Sequence, residues 1–324
     1  MKKIWGPTFL IVVIGLLFAT VLFYGTVAGV QDLRSKDEVD ALVSLKVMTC
    51  NIGDLGGYKI LSNKEVVDFL KLAGVPDILL LQEVRSENEA EYFSNKLGLK
   101  YFVFLIDARQ RSNGMAILSR FPLSDPDKIY FKASKYGYGA LAVDATIGDN
   151  LKVTRSLKVT RNLKVTRNLK VTRNLEVRPK KVLIVNVHMD RIDSVTMKDK
   201  KVAVNLGFLL RFIKNEIWED SVRSQSAKEL IQWLDEKKAD NVILGGDFNS
   251  VPLSKTIRTI GSRFDDVLWP SLQYLTGTYK RLDFPIAPKV DYLFLSPNLS
   301  CRKASVLPIS PGDHFPVVAL VEYK

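Results

Sequence analysis

Apolar and polar residues recur along this chain with two distinct periods, which predict a mixture of strands and helices from residue 42 onward. Alternating or consecutive apolar residues predict strands at Leu42–Ile52, Asp77–Leu81, Tyr101–Ile106, Gly114–Leu123, Tyr138–Ile147, Val182–Val187, Val242–Asp247, Val290–Leu295, Lys303–Leu307 and Pro316–Tyr323. Helical spacing predicts helices near Lys64–Leu72, Asn88–Leu97, Val202–Trp218 and Arg223–Lys237. Strands and helices do not follow a strict βαβ order, which favours sheets packed face to face with helices outside.

The N-terminal segment has a different pattern. An almost uninterrupted apolar run extends from Ile4 to about Val30, and no charged residue follows Lys3 until Asp32. This run is long enough to cross a hydrocarbon core of roughly 30 Å and exceeds the roughly 7–15 apolar residues of a signal peptide. We therefore expect residues 1–30 to form one transmembrane signal anchor and residues 31–41 a linker.

The charges that flank this run predict its orientation. Lys2 and Lys3 precede it, whereas Asp32–Asp40 has a net negative charge, so the N-terminus should lie in the cytoplasm and the folded domain outside it. Cleavage near residues 28–30, where small residues occur, would instead release a secreted protein.

The composition indicates the size class of the protein but says little about its chemistry. With 324 residues and 47% hydrophobic content, the chain is not disordered, and residues 42–324 can form one large domain. Two cysteines, Cys50 and Cys301, do not make a disulfide framework. Cys50 lies in a predicted strand and is expected to be a small buried residue; whether the two cysteines pair is left open.

The formal net charge of +12 is concentrated in one insert at residues 151–178. It begins with LKVTRS, continues with three copies of LKVTRN and ends in LEVRPK. Residues 151–181 together carry +10, which leaves +2 for the rest of the chain. A repeat of six keeps Leu, Val and Arg on one face of a strand, so we expect a hairpin with arms of about 12 residues.

The position of this hairpin in the chain predicts where it lies relative to His188. It precedes the strand that ends near His188, so its tip should point away from the edge of the sheet where His188 lies. One interpretation is contact with anionic lipid, cell wall or nucleic acid, remote from catalysis. The other is a tandem duplication that is tolerated because surface loops lengthen at low cost in free energy.

Candidate chemistry first appears at the end of the strand Val242–Asp247. Two glycines precede Asp247, and Asn249 lies two residues later, a spacing that would aim both side chains the same way in an extended stretch. A carboxylate and a carboxamide together suit phosphate chemistry, since one handles a water proton and the other donates to a phosphate oxygen. The alternative is an Asx turn that merely closes the strand.

Six short blocks, in order, resemble the endonuclease/exonuclease/phosphatase (DNase I-like) superfamily. They are Thr49–Ile52, Leu81–Val84, Gly114–Pro122, Asn186–His188, Gly246–Ser250, and Val290–Tyr292 with Gly312–His314. The resemblance covers about residues 42–324. It implies a four-layer α/β sandwich, two packed mixed β-sheets flanked by helices, with the active site at one end. Cys50 stands where an aromatic residue is common, and Gly312 where a serine often precedes Asp-His.

The resemblance also implies a divalent metal, Mg²⁺ or Mn²⁺. Glu83 would be its main ligand, Asn51 would assist at the metal or the phosphate, and Asp313 would complete the metal or hydrogen-bond shell. The choice of residue types agrees with the preference of hard cations for carboxylate and carbonyl oxygens.

The resemblance assigns the catalytic roles to five other residues. Asp247 would orient or deprotonate the attacking water, and Asn249 would hold a phosphate oxygen. His314 would contact the scissile phosphate, with Asp291 fixing its tautomer, as carboxylate–imidazole pairs do. His188 would be the second imidazole at the phosphate.

Together these observations predict a membrane-anchored, metal-dependent phosphodiester hydrolase of nuclease type, with nucleic acid as the favoured substrate. Hydrolysis of a phospholipid or sphingomyelin-type headgroup, or of a phosphomonoester, is the enzymatic alternative, and a non-catalytic scaffold or adhesion module is more remote. Inositol phosphatases carry a Trp before their Gly-Asp pair, and this chain does not. Arg111 and Asn113 are further candidates to face the site.

Overall fold

The computed structural model describes residues 44–53, 61–109, 113–148, 154–158, 168–172, 179–191, 214–269, 271–280 and 287–324, with the backbone alone at 154–158, 168–172, 215 and 272. The expected anchor (1–30), the linker (31–41) and Arg111 lie outside these residues, as does most of the helix predicted at Val202–Trp218. Within the described residues, no helix is both long and apolar enough to cross a bilayer.

The described strands and helices follow the predicted order closely. The strands are β1 (Leu45–Asn51), β2 (Ile78–Val84), β3 (Tyr101–Ile106), β4 (Gly114–Ser119), β5 (Leu123–Tyr130), β6 (Gly139–Ile147), β7 (Thr154–Lys158), β8 (Asn168–Thr172), β9 (Lys180–His188), β10 (Val242–Asp247), β11 (Asp265–Asp266), β12 (Asp291–Leu295), β13 (Leu299–Val306) and β14 (Val317–Tyr323). The helices are α1 (Asn63–Leu72), α2 (Glu87–Leu97), α3 (Val222–Lys237) and α4 (Lys255–Gly261), with a π-helical turn at Lys214–Trp218 and a 3₁₀ turn at Leu272–Leu275.

Twelve of the described strands form two mixed sheets of six. The first sheet has the order β13-β14-β1-β2-β4-β3, and the second has the order β11-β12-β10-β9-β6-β5. In the first sheet β1 and β2 are parallel, and in the second β9 and β10 are parallel; the other pairings are antiparallel.

Three apolar clusters hold these layers together. Side chains from the inner faces of both sheets form the central core, which includes Val47, Ile117 and Ile184. The outer face of the first sheet packs against α1 and α2, and that of the second against α3 and α4. The predicted four-layer α/β sandwich is therefore confirmed for the domain.

Strand register brings several strand ends to one end of the molecule. Asn51, at the end of β1, pairs with Gln82 of the parallel β2. Asp247, at the end of β10, pairs with His188 on one side and with Asp291 on the other. Because parallel neighbours end at the same edge of a sheet, polar residues distant in sequence meet at the junction of the two sheets.

Four elements were not predicted, and two of them are the short strand β11 and the 3₁₀ turn at Leu272–Leu275. Strand β5 is largely exposed and contains Pro126, so it lacks the apolar pattern of a buried strand, and it pairs at the sheet edge with a register shift; edge strands tolerate proline. Helix α4 has seven residues, too few for a helical period to stand out. Strand β13 also begins earlier than predicted, at Leu299.

Two short strands of the repeat pair as a hairpin, whereas arms of about 12 residues stay a prediction. Strands β7 and β8 pair antiparallel, from Thr154 opposite Thr172 to Lys158 opposite Asn168. The connection that contains them leaves the second sheet where Ile147 pairs with Lys180, eight register positions from the pair Gly139–His188, roughly 25 Å along the strands. The connection therefore attaches at the end of the sheet opposite His188, and the direction of the hairpin tip stays a prediction.

Both cysteines are free thiols. Cys50 is buried and Cys301 partly buried. Cys50 packs in the apolar layer beneath α1 and α2, so the prediction of a small buried residue is confirmed.

Candidate active site

Buried polar side chains are concentrated where the strand ends meet. Asn51, Gln82, His188, Asp247 and Asp291 are each at most 1% exposed. Burying polar groups costs free energy unless they are paired or serve a function, so this concentration marks the candidate site.

A polar bond beneath the site joins the two sheets. The Gln82 side chain donates from Nε2 to Asn186 Oδ1 at 2.6 Å. Asn186 in turn donates from Nδ2 to the carbonyls of Leu81 and Ala116 in the opposite sheet. These bonds fix the relative position of the two sheets at the depth from which the site residues project.

Asn51 connects the two candidate carboxylates. Its Nδ2 lies 3.1 Å from Asp247 Oδ2 and 3.3 Å from Glu83 Oε1. Its Oδ1 accepts the backbone N–H of Gly53 at 2.9 Å. In this orientation Asn51 is a donor to both carboxylates and holds them beside each other.

Glu83 reaches the site through an irregular backbone. Its φ is +60° and the register of β2 with β4 shifts between Gln82 and Val84, a conformation that costs about 1–3 kcal/mol for a residue other than glycine. A Cβ on Gly53 would lie 2.0 Å from Glu83 Oε2, so a larger residue at position 53 would push this carboxylate out of its present position. Burial acts to raise the pKa of Glu83, but interactions with the His188, Arg191 and His314 side chains and the hydrogen bond from Asn51 lower it overall.

Asp247 and Asn249 form an Asx turn, which is the structural alternative considered above. The Asn249 N–H donates to Asp247 Oδ1 at 2.8 Å, and its Nδ2 lies 2.9 Å from the Met189 carbonyl and 3.2 Å from Asp247 Oδ2. The expectation that an extended stretch aligns these side chains is wrong, because φ of Asn249 is +47°. The turn brings them together instead, and Asp247 still faces the site.

The two histidines differ in charge. His314 Nδ1 lies 2.9 Å from Asp291 Oδ2, and its Nε2 lies 3.8 Å from Asp247 Oδ2. Burial opposes the charged form of His314, but Asp291 and Asp247 raise its pKa to about 10. His314 is therefore a cation at neutral pH, and its Nδ1–H donates to Asp291.

His188 is the neutral partner. Its Nε2 lies 3.8 Å from Asp247 Oδ2 and 4.0 Å from Glu83 Oε1, and neither ring nitrogen has a hydrogen-bond partner among the described residues. Its ring stacks on Tyr138 at 4.1 Å between centroids. Burial lowers the pKa of His188.

Two further acids at the site, Asp247 and Asp313, have raised pKa values, mainly because they are buried. Burial and the neighbouring Asp291 raise the pKa of Asp247. Asp313, whose Oδ1 lies 4.0 Å from His314 Nε2, has a pKa of about 6, mainly because it is buried. Acids held together against their own repulsion favour the binding of a cation.

The residue types fit a hard divalent cation. Glu83 and Asp313 offer carboxylate oxygens, which Mg²⁺ and Mn²⁺ prefer. Ligation by Asn51 stays a prediction, because its carbonyl oxygen is bonded to Gly53. Among the described residues, ligand atoms of Asp247, Asp291 and His314 also lie within 4.8 Å of one another, but a protonated His314 is a hydrogen-bond donor and not a ligand.

The structure therefore brings together all eight predicted site residues and adds three more. Arg191 donates to Glu83, Tyr138 stacks on His188, and the buried carboxyl of Asp107 lies close enough to Glu83 for their charges to interact. No motif marks these three residues in the sequence. Of the further candidates, Asn113 contributes its carbonyl to the Asp107 N–H.

As a whole the arrangement suits attack by water on a phosphate ester. A proton acceptor, Asp247, lies within 4 Å of one charged and one neutral imidazole, and amide donors stand beside it. Such a set can orient water and stabilise negative charge on phosphate oxygens.

Comparisons with known proteins agree with this geometry. The family model described as "Endonuclease/Exonuclease/phosphatase family" matches residues 48–314. A comparison with curated protein sequences found no match.

Solved structures with the same fold cover most of the chain. The catalytic domain of human Nocturnin with bound sulfate is 19% identical and has a TM-score of 0.55, covering 87% of this chain and 95% of that one. A Bacteroides thetaiotaomicron endonuclease/exonuclease/phosphatase family protein is 15% identical, with a TM-score of 0.54 and 87% and 98% coverage. TDP2 of D. rerio, complexed with a single-strand DNA product, is 13% identical, with a TM-score of 0.56 and 86% and 99% coverage. At these identities the likeness concerns the fold.

Proposed function

Because this chain belongs to the endonuclease/exonuclease/phosphatase family, whose members are phosphoester hydrolases, we propose that it is a membrane-anchored, divalent-metal-dependent phosphodiester hydrolase of nuclease type. One observation carries the proposal. The Asp247 carboxylate lies between the cationic His314 and the neutral His188, next to Asn51 and within the same cluster as Glu83.

In this proposal Asp247 accepts a proton from the attacking water. Its raised pKa makes it a better base than an ordinary aspartate. Asn249, held in the Asx turn, orients the carboxylate through its backbone N–H and its side-chain amide. To hold a phosphate oxygen as well, its amide would have to release Asp247 Oδ2 or the Met189 carbonyl. The neutral His188 shares this end of the site and contributes an imidazole at the phosphate.

His314 stabilises the negative charge that develops on the phosphate. Asp291 keeps its imidazole protonated and fixed in orientation. Mg²⁺ or Mn²⁺, held by Glu83 with Asp313 and Asn51 nearby, would supply Lewis-acid stabilisation of the phosphate oxygens when bound.

Nucleic acid is the favoured substrate class. The structural neighbour from D. rerio was solved with a single-strand DNA product, which supports this choice by analogy of fold. One observation counts against this choice. The net charge of only +2 outside residues 151–181 predicts weak non-specific binding of nucleic acid. An apolar N-terminal segment, by contrast, favours a lipid headgroup as the second candidate.

The proposed location rests on the apolar run from Ile4 to Val30. We expect the full chain to sediment with membranes and the domain to be digested by protease added outside intact cells. A variant that lacks residues 1–31 should be recovered in the soluble fraction. Sedimentation of that variant with membranes would contradict anchoring by this segment.

A substrate panel tests the proposed chemistry. The purified full chain is assayed with DNA, RNA, phospholipids and phosphomonoesters, in Mg²⁺, Mn²⁺ or EDTA. We expect Asp247→Asn and His314→Ala to lower kcat by about 10²–10⁴. Asp144→Asn, a partly exposed carboxylate that lies 3.5 Å from Lys181 near the other end of the second sheet, is the matched control.

Turnover that persists in EDTA, or in both site variants, would contradict this mechanism. Preference for phospholipid over nucleic acid would favour the lipid candidate. Absence of turnover on every substrate would favour the non-catalytic scaffold.

A further inference from the structure

Arg191 is a cation at the site to which the mechanism above assigns no role. It lies three residues after His188, and its Nη2 is 2.8 Å from Glu83 Oε1. The Arg191 side chain is 57% exposed, whereas the Glu83 side chain is only 10% exposed. A largely exposed arginine side chain thus neutralises a buried carboxylate.

The backbone that carries Arg191 is fixed by a second arginine. Arg223, which is buried, donates from Nη1 to the carbonyls of Asp190 and Arg191 and pairs through Nη2 with the buried Glu216. Asp190 Oδ1 also accepts the N–H of Lys135 at 2.9 Å. The main chain at Arg191 is therefore anchored at several points, so any change in its guanidinium position is a rotation of the side chain.

Arg191 and a metal ion would compete for Glu83 Oε1. This oxygen already faces Asn51 Nδ2 at 3.3 Å and His188 Nε2 at 4.0 Å. A divalent cation on the same carboxylate would occupy its lone pairs and repel the guanidinium, since like charges a few ångströms apart interact strongly at a partly buried site. Binding of metal should therefore displace Arg191.

A displaced Arg191 has an obvious partner. Guanidinium groups bind phosphate oxygens through two parallel N–H donors, and the anchored backbone keeps the side chain at the mouth of the site. We propose that Arg191 is a substrate-phosphate-binding residue, which Glu83 holds in place until a divalent cation takes over the carboxylate. This inference rests on the proposed function, because it takes the site to bind a metal and a phosphate.

The exchange predicts opposite effects of one substitution on two ligands. Calorimetry on the purified full chain should show that Arg191→Ala binds Mg²⁺ roughly three- to tenfold more tightly, since a competing ion pair is lost. In saturating Mg²⁺ the same variant should bind inorganic phosphate about tenfold more weakly, because a charge-assisted donor is gone. Arg191→Lys, which keeps the charge, should show smaller changes in both affinities.

Arg120→Ala is the matched control. The Arg120 side chain is 54% exposed and its Nε lies 3.4 Å from Asp77 Oδ1, next to the start of β2 and away from Glu83. The Arg120→Ala substitution should change neither the affinity for Mg²⁺ nor the affinity for inorganic phosphate.

Each result decides one half of the proposal. If Arg191→Ala binds Mg²⁺ no more tightly than the wild type, the exchange at Glu83 is refuted. If Mg²⁺ affinity rises but phosphate affinity does not fall, phosphate binding by Arg191 is refuted. Both measurements are independent of turnover, so a protein that binds both ligands but hydrolyses nothing would contradict the proposed function and leave this inference standing.

Discussion

Asp107, which follows β3, is the least expected residue near the site. It is 1% exposed, and neither carboxylate oxygen has a hydrogen-bond partner among the described residues. Burial, and to a lesser extent the charge of Glu83, raises its pKa from 3.8 to about 7. An unpaired buried carboxyl group costs stability when it is ionised.

The Asp107 carboxyl group should make stability depend on pH. Because its folded-state pKa is raised, the folded state binds the proton more tightly than the unfolded state, and stability falls as pH rises from about 4 to about 7. Asp107→Asn should make this fall shallower, because the raised pKa values of Asp247 and Asp313 contribute to it as well. The substitution should raise the free energy of unfolding at pH 8 by roughly 1–3 kcal/mol. Denaturant unfolding in EDTA across this pH range measures it.

Asp144→Asn serves as the control for this experiment as well, since Asp144 is only partly buried and is paired with Lys181. An Asp107→Asn variant whose stability declines with pH as steeply as that of the wild type would show that Asp107 is ionised in the folded protein throughout.

At the scale of elements, the connection that carries the β7–β8 hairpin attaches far from the site. The register of β6 with β9 places its attachment at Ile147 and Lys180, and His188 lies at the opposite end of β9. The pairing within the hairpin is local, from Thr154–Thr172 to Lys158–Asn168. We therefore expect the hairpin to add charge to the protein without adding residues to the catalytic cluster.

Deletion of Leu151–Asn174 should therefore leave catalysis intact. We expect kcat and KM for a small phosphodiester to change by less than about twofold, because shortening a surface connection costs little free energy. Steady-state kinetics measure this, with circular dichroism to confirm folding. A large loss of turnover in a deletion variant that still folds would contradict the placement of the hairpin.

At the scale of the whole molecule, the site belongs to neither sheet alone. The first sheet supplies Asn51 and Glu83, and the second supplies His188, Asp247 and Asp291. Contact between the sheets through Gln82 and Asn186 keeps these groups in register. Stability of the sandwich and assembly of the acidic cluster are consequently coupled.

Metal should stabilise the folded domain through this cluster. At a free Mg²⁺ concentration of 100 times Kd, binding adds about 2.7 kcal/mol to the free energy of unfolding, which corresponds to a rise in Tm of roughly 5–10 °C. Glu83→Gln should abolish the rise, whereas Asp144→Asn should retain it. Thermal unfolding with Mg²⁺ or EDTA provides the measurement, and an equal rise in Glu83→Gln would place the metal elsewhere.

Much of this picture follows from the sequence alone. Apolar periodicity predicts most strands and helices, since it depends only on which face of an element is buried. Polar residues that end apolar runs, such as Asn51, His188 and Asp247, are visible as candidates for the same reason. The resemblance to one family then assigns these candidate residues to a single active site.

Only the tertiary structure decided how these residues meet and which others join them. Arg191 contacts Glu83 across 108 positions of sequence and Asn51 contacts Asp247 across 196, and no local pattern encodes such distances. The left-handed backbone of Glu83 and Asn249 is likewise imposed by the surroundings, because either residue alone would favour another conformation. Local periodicity determines the elements, whereas contacts between distant strand ends determine the charge states and the orientations of the groups that they carry.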